Sequence, residues 1–219
     1  MTRKLKALGL AMVAVFAMSA IAAQGAQAAT PGLLTAASYP ATLTGTNTAG
    51  NIHKFELTAL KLSTECTTAK FAGSLASPGS STITVAPTYE GCKAFGLSAT
   101  IDTTGCHYLI HIGETLTPGG NYGGTIDAEC SGTNLIRITA GIIGNKCEVT
   151  VASQTGLSKG EGIAGASDIE VKATVTGIKY TVTKDEGTCP LSKVGETFSD
   201  GDYNGNVTVT GSSALSLSD

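Results

Sequence analysis

The chain has 219 residues, of which 42% are hydrophobic and 14% are charged, with 14 Lys+Arg against 17 Asp+Glu. This composition can bury a core, so it excludes a chain that is disordered by composition. An acidic balance repels phosphate backbones, so we expect no nucleic-acid partner. The length suits one domain or two small ones.

The N-terminus has the three parts of a secretory signal peptide. Three cations in the first six residues precede an apolar run over residues 7–23, and Ala-Gln-Ala at 26–28 supplies a cleavage site. We predict a signal peptide over residues 1–28, a secreted, extracytoplasmic protein, and no transmembrane segment after cleavage. Removing residues 1–28 takes away three of the 14 cations and none of the 17 acids, which leaves a net charge near −6.

All six cysteines follow the predicted cleavage site, which indicates three disulfides in an oxidising compartment. They are Cys66, Cys92, Cys106, Cys130, Cys147 and Cys189. No C-x-x-C occurs, which disfavours zinc knuckles and thioredoxin-type sites. Six cysteines allow 15 pairings. Meandering strands favour the sequential set, 66 with 92, 106 with 130 and 147 with 189.

Apolar and polar residues alternate with a period of two along most of the chain, which predicts half-buried strands. In one segment the apolar Leu97, Ala99 and Ile101 share a face, and a turn follows at 102–105. The next strand places four side chains on one face: Cys106, Tyr108, Ile110 and Ile112. We predict that these two strands form a hairpin.

Eight further segments are Thr/Val/Ile-rich and bounded by turn formers. Strong candidates are residues 81–86, 135–140, 147–152 and 169–183, and weaker ones are 41–46, 52–57, 61–66 and 125–130. In the long segment 169–183, Thr176-Gly177 marks a bulge or bend. Roughly ten strands and no convincing helix predict an all-β, antiparallel sandwich or barrel. We expect residues 29–219 to form a single all-β extracellular domain, with two small β subdomains as the alternative.

One stretch resembles a known group of proteins. The motif TYEGCKAFG at 88–96, with GCHY at 105–108 after it and ATLTG at 41–45 before it, is similar to uncharacterised, Thr- and Gly-rich secreted bacterial proteins. The resemblance extends over about residues 41–211. It implies export and β structure, and it implies no activity.

Two short motifs suggest chemistry but lack its context. GLSKG at 156–160 matches the nucleophile elbow of α/β-hydrolases, yet no helix pattern follows and every histidine precedes Ser158. We interpret this motif as a glycine-rich loop. His107 and His111 would lie roughly 13 Å apart on a strand, too far to share a zinc ion, so we interpret them as polar-face histidines.

Asp127 and Glu129 form a same-face carboxylate pair about 6.6 Å apart, near the separation that glycosidases use. A sugar-binding cleft usually needs broad aromatic platforms, and the chain has no Trp. We therefore interpret the pair as a solvated strand face, and keep a secreted glycan hydrolase as the alternative function.

The segment DGDYNG at 200–205 fits the opening of a calcium loop, with Asp200, Asp202 and Asn204 as candidate calcium ligands. The twelfth position, which should be Glu, is Gly211. A turn at 200–201 that leads into a strand is the favoured interpretation, because alternate side chains on a strand cannot converge on one ion.

No catalytic constellation assembles from these motifs, so we expect a non-enzymatic protein without a cofactor, calcium excepted. The expected role is a cell-surface or extracellular binding or structural domain with an extracellular or cell-wall ligand that the sequence does not identify.

Overall fold

The computed structural model describes residues 30–58, 62–94, 96–117, 120–142, 144–187, 189 and 194–218. In these residues the protein is all-β, as predicted, with fourteen strands and no helix. None of the described elements is therefore a helix of the length and apolarity that crossing a membrane requires. The predicted signal peptide lies outside the described residues.

The strands vary from 4 to 18 residues in length. In chain order they are β1 Leu33–Ala36, β2 Ala41–Asn47, β3 His53–Leu57, β4 Leu62–Leu75, β5 Thr82–Ala94, β6 Leu97–Asp102, β7 Cys106–Thr117, β8 Asn121–Cys130, β9 Ile136–Ile142, β10 Asn145–Val151, β11 Gln154–Ala164, β12 Asp168–Asp185, β13 Thr197–Gly211 and β14 Leu215–Ser218.

Twelve of the strands form one antiparallel sheet that closes into a barrel. The order β10-β9-β6-β5-β7-β8-β11-β12-β13-β2-β4-β3 is completed by the pairings β10–β12, β5–β4 and β13–β3. Four long strands, β4, β5, β12 and β13, extend through both ends of the barrel. At the upper end β2, β7, β8 and β11 complete a ring of eight, and at the lower end β3, β6, β9 and β10 do so. β1 and β14 form a separate two-stranded ribbon.

Alternation along the strands decides which side chains fill the barrel. In β2, Ala41, Leu43 and Gly45 are buried while the intervening threonines are exposed. Gly45 is needed at a close approach, because a Cβ there would lie 2.8 Å from a methyl of Val207 and 3.1 Å from Cβ of Phe71. Gly45 therefore leaves space on the inner face for the side chains of Phe71 and Val207, which lie on the two strands that flank β2.

The predicted hairpin over residues 97–112 is wrong, although both strands are right and Ile101 and Tyr108 face the interior as expected, whereas Leu97 is exposed. β6 and β7 do not pair with each other; each pairs antiparallel with a different part of β5. Between them, the Thr104 amide donates to Asp102 Oδ1 and the Thr103 hydroxyl donates to the carbonyl of Pro87 in the middle of β5. The turn is held against β5, so the chain steps along its edge instead of reversing.

The predicted irregularity at Thr176-Gly177 is confirmed. The register between β12 and β13 shifts between Val175 and Ile178, and Gly177 has a φ of +75°. Val175 and Ile178 are both buried, so the inward side changes from odd to even positions across this bulge. The bulge allows β12 to continue as one strand of 18 residues.

The sequential disulfide pairing is confirmed for all three pairs. The first two bridges join directly opposite residues of β4 with β5 and of β7 with β8. The third ties β10 to Cys189, which follows β12, across a sequence separation of 42. Three such crosslinks form and persist in oxidising compartments, which places the protein in an extracytoplasmic setting.

Candidate functional site

The barrel interior contains an apolar cavity of about 130 Å³. Its wall includes Phe71, Val85, Ala128, Val175 and Val207, which come from five different strands. None of the described residues that line it is a lysine, arginine, aspartate or glutamate. The cavity therefore offers dispersion contacts and no full charge to a bound molecule.

A second space of about 80 Å³ lies nearer the upper end. It shares Leu43, Val85 and Ile110 with the wall of the larger cavity. The β1–β14 ribbon covers this end, and its Leu34 and Leu215 are 1% and 3% exposed. The ribbon thus separates the apolar interior from solvent at the upper end.

One polar network stands on the wall of the larger cavity. The Tyr89 hydroxyl lies 3.1 Å from that of Tyr108 and donates to the Tyr203 hydroxyl at 3.5 Å. The Tyr203 hydroxyl lies 2.5 Å from Nδ1 of His53. The four side chains come from β3, β5, β7 and β13 and all line the cavity.

Counting protons sets the direction of the first two bonds in this network. A phenol has one proton, so Tyr89, which donates to Tyr203, must accept from Tyr108. Between Tyr203 and Nδ1 of His53, the tautomer of the imidazole decides which group donates.

Burial keeps all four groups uncharged. Burial lowers the pKa of His53, and a hydrogen bond with the backbone of Asn206 offsets part of this decrease. Burial also raises the pKa values of Tyr89, Tyr108 and Tyr203. The network is therefore a chain of neutral dipoles around neutral pH.

His53 is the one member with an unused polar atom. It is 2% exposed, and its Nε2 has no hydrogen-bond partner among the described residues. Its ring lies against Gly205, where a Cβ would clash with Nδ1, and 5.9 Å from the ring of Phe71. Gly205 therefore makes room for the imidazole in the barrel wall.

The two histidines predicted on a polar face each form a hydrogen bond with a carboxylate of β8. His107 Nε2 lies 2.9 Å from Glu129, and His111 Nε2 lies 2.8 Å from Asp127. Each histidine thus contacts a different carboxylate. Asp127 also accepts from the Gly156 amide at 2.6 Å and is buried, so the predicted solvated face is wrong at this position.

This arrangement does not favour Asp127 and Glu129 as glycosidase acids. The Gly156 amide and then His111 hold the pKa of Asp127 below its usual value. A general acid needs a raised pKa, which is the opposite shift. The interior cavity is lined by neither carboxylate.

The three candidate calcium ligands lie within a strand. β13 begins at Thr197, before Asp200, so the predicted turn at 200–201 is wrong. Tyr180 donates to Asp200 and Thr58 donates to Asp202, while Asn204 lies opposite Lys54 of β3. The sequence does not reveal that this part of β13 is paired on both edges, with β3 on one side and β12 on the other.

Alternate positions on a strand lie about 6.6 Å apart, so these oxygens do not converge on an ion. In the described part of the chain, no three His, Cys, Asp or Glu residues form a group that could hold a metal. Gly201 serves packing here, because a Cβ at this position would lie 2.8 Å from the carbonyl oxygen of Ile178.

The predicted glycine-rich loop at 156–160 is also wrong. Ser158 lies in β11, opposite Thr125 of β8, and the strand continues to Ala164. The register shifts between Gln154 and Leu157 and again between Ser158 and Gly160, which accommodates the two glycines within the sheet. The strand-turn-helix context of a nucleophile elbow is absent from the described residues 154–164.

The fold and the cavity define a disulfide-linked, closed β-barrel with an apolar interior. Comparison of the chain with family models, with curated proteins and with solved structures finds no match.

Proposed function

We propose that this protein is a secreted, non-enzymatic binding protein whose barrel holds one small apolar molecule. The observation that carries the proposal is the interior cavity of about 130 Å³ with its apolar wall. An apolar protein cavity of ~150 Å³ stays dry and binds benzene or xenon. The expected ligand is accordingly about the size of one six-membered ring.

The energetic cost of the cavity favours a ligand. Protein interiors pack to the density of organic crystals, and voids larger than a water molecule are few. A cavity costs ~24 cal/mol per Å³, so 130 Å³ corresponds to about 3 kcal/mol of lost stability. A bound molecule of matching shape recovers much of this loss through dispersion contacts.

Three observations favour export and a role in binding over catalysis. The signal-like N-terminus agrees with the oxidising setting that the disulfides require. The resemblance to secreted bacterial proteins points the same way. The paired carboxylates Asp127 and Glu129 are engaged by histidines outside the cavity, which leaves them poorly placed for hydrolysis of a glycan.

The proposal is tested by titrating the disulfide-bonded protein with benzene, toluene and cyclohexane during thermal unfolding. A ligand at a hundred times its Kd stabilises a protein by about 2.7 kcal/mol, which raises the Tm of a domain of this size by about 5–10 °C. The variant Ala128→Leu, which fills the cavity, should show a smaller increase. If none of the three hydrocarbons raises the Tm at saturation in water, the proposed function is refuted.

A further inference from the structure

We propose that the barrel holds a single-ring hydrocarbon with a short linear alkyl chain, the ring lying in the larger cavity and the chain in the second space beneath the β1–β14 ribbon. This inference rests on the proposed function and adds the shape and chemical class of the ligand. The observation that carries it is that the two spaces adjoin and share part of their wall.

The two spaces meet at side chains that line both of them. All six of these side chains are aliphatic: Leu43, Val85, Ile110, Ile126, Val171 and Val209. Aliphatic side chains form no hydrogen bonds or ion pairs, and side chains in protein cores change rotamers. An alkyl chain can therefore pass from one space into the other by displacing methyl groups, without breaking a polar contact.

The interior has room for a chain toward the upper end of the barrel and not toward the lower end. The second space measures about 80 Å³, whereas the space beside Leu57 and Val149 at the lower end measures about 10 Å³, room for one water at most. Aromatic packing fills the lower end, where Tyr180 is 1% exposed and stacks on Phe198 at 5.3 Å between ring centroids. The chain of a bound molecule therefore extends toward the ribbon.

Glycines in the wall leave the second space open. Four of them line it: Gly123 and Gly124 of β8, and Gly160 and Gly162 of β11. A Cβ at Gly160 would meet its nearest neighbour, Cδ1 of Ile126, only at 3.8 Å, and Gly160 has no positive φ. A larger side chain at this position would thus enter the second space without backbone strain.

The volume of the second space limits the length of the chain. A cavity of ~150 Å³ accommodates the six carbons of benzene, so 80 Å³ corresponds to about three carbons. In the described part of the chain, no lysine, arginine, aspartate or glutamate lines either space, so a charged end group would lose its hydration without gaining an opposite charge. His111 reaches the second space, but its Nε2 is hydrogen-bonded to Asp127. The expected class is represented by propylbenzene.

The test measures the Kd of benzene, toluene, ethylbenzene, propylbenzene and hexylbenzene by calorimetry on the disulfide-bonded protein. Each buried methylene should lower the Kd about fourfold, so propylbenzene should bind about 60-fold more tightly than benzene. Hexylbenzene, whose chain exceeds the second space, should bind no more tightly than propylbenzene. Mesitylene has the same molecular formula as propylbenzene but no chain, and overpacking of the ring-sized cavity should weaken its binding at least about tenfold relative to propylbenzene.

The outcomes separate the two proposals. If benzene binds and propylbenzene binds no more tightly than benzene or mesitylene, the inference is overturned and the proposed function stands. If no compound of the series binds, the proposed function is overturned as well. A Kd that keeps falling at the same rate to hexylbenzene would overturn the closed second space as the place of the chain.

Gly160→Leu and Ala128→Leu form a matched pair of variants, because Gly160 lines only the second space and Ala128 only the larger cavity. Gly160→Leu should abolish the advantage of propylbenzene over benzene and leave the Kd of benzene unchanged, which also shows that this variant folds. Ala128→Leu should weaken the binding of both compounds. A propylbenzene advantage that survives in Gly160→Leu would overturn the inference, and the series on the wild type tests it without either variant.

Discussion

Replacement of Ala128 by leucine tests whether the interior of the barrel is truly unfilled. Ala128 is 4% exposed and lines the cavity. In a packed core, a larger side chain forces strain and costs about 1–3 kcal/mol. In a cavity of about 130 Å³, the added carbons have room, so the sign of the effect should reverse.

The expected magnitude follows from the three added carbons. At ~0.8 kcal/mol for each buried carbon they contribute about 2.4 kcal/mol, and the lost rotamer freedom of leucine subtracts about 0.5–1 kcal/mol. Ala128→Leu should therefore stabilise the protein by about 1.5–2 kcal/mol. For a domain of this size that raises the Tm by about 3–8 °C.

Ala69→Leu is the matched control. Ala69 is fully buried in an apolar cluster with Phe71, Val85 and Val207, and unlike these three it does not itself line the cavity. It should lose about 1–3 kcal/mol through overpacking. Urea unfolding of the wild type and both variants measures the two differences. If Ala128→Leu is destabilised as much as Ala69→Leu, the reasoning from the cavity is refuted.

Three further predictions concern charge and crosslinks. Asp127→Asn should lower the free energy of unfolding by about 1–3 kcal/mol at pH 7. Because the pKa of Asp127 is lowered in the folded protein, this loss should shrink as the pH falls below about 4. A loss that does not depend on pH would contradict this prediction. The pKa of His53 is lower in the folded protein than in the unfolded chain, so on acidification the imidazole is protonated first in the unfolded chain. The free energy of unfolding of the wild type should therefore fall relative to that of His53→Phe as the pH falls below about 6.5. Parallel curves for the two proteins would contradict that sign. Replacing both Cys147 and Cys189 by alanine opens a loop of 42 residues and should cost about 4 kcal/mol in urea unfolding; no loss would contradict the crosslink.

The sequence predicts the fold class and the disulfides well because both depend on local patterns. Period-two alternation identifies most strands, and it also gives the correct inner faces of the segments around Ile101 and Tyr108. The bulge at Gly177 is predictable because the segment is too long for an ordinary strand and glycine tolerates its positive φ.

The wrong predictions involve segments whose turn residues lie inside strands. Gly156 and Gly201 were expected in a loop and a turn. Gly201 is instead paired on both edges, with Ile178 and Leu57, and Gly156 lies at a register shift inside β11 with a φ of +67°. The strand partners are remote in sequence, so no local pattern reveals them. The same limitation explains the wrong hairpin, since the partner of both strands is β5.

The candidate site could not be predicted from the sequence. His53 and Tyr203 are 150 positions apart, and only the closure of the barrel brings them into contact. The alternation of Tyr203 with Gly205 does indicate an inward tyrosine. No pattern indicates that Gly205 leaves space for the ring of His53.

The most direct test of the central claim is a crystal structure of the disulfide-bonded protein equilibrated with bromobenzene, in which anomalous scattering locates the bromine. We predict a single strong bromine peak inside the barrel, within contact distance of Phe71, Ala128 and Val175, with no ordered water in the cavity. An interior filled by side chains or water, with bromine only on the outer surface, would contradict the claim that this barrel binds a small apolar molecule.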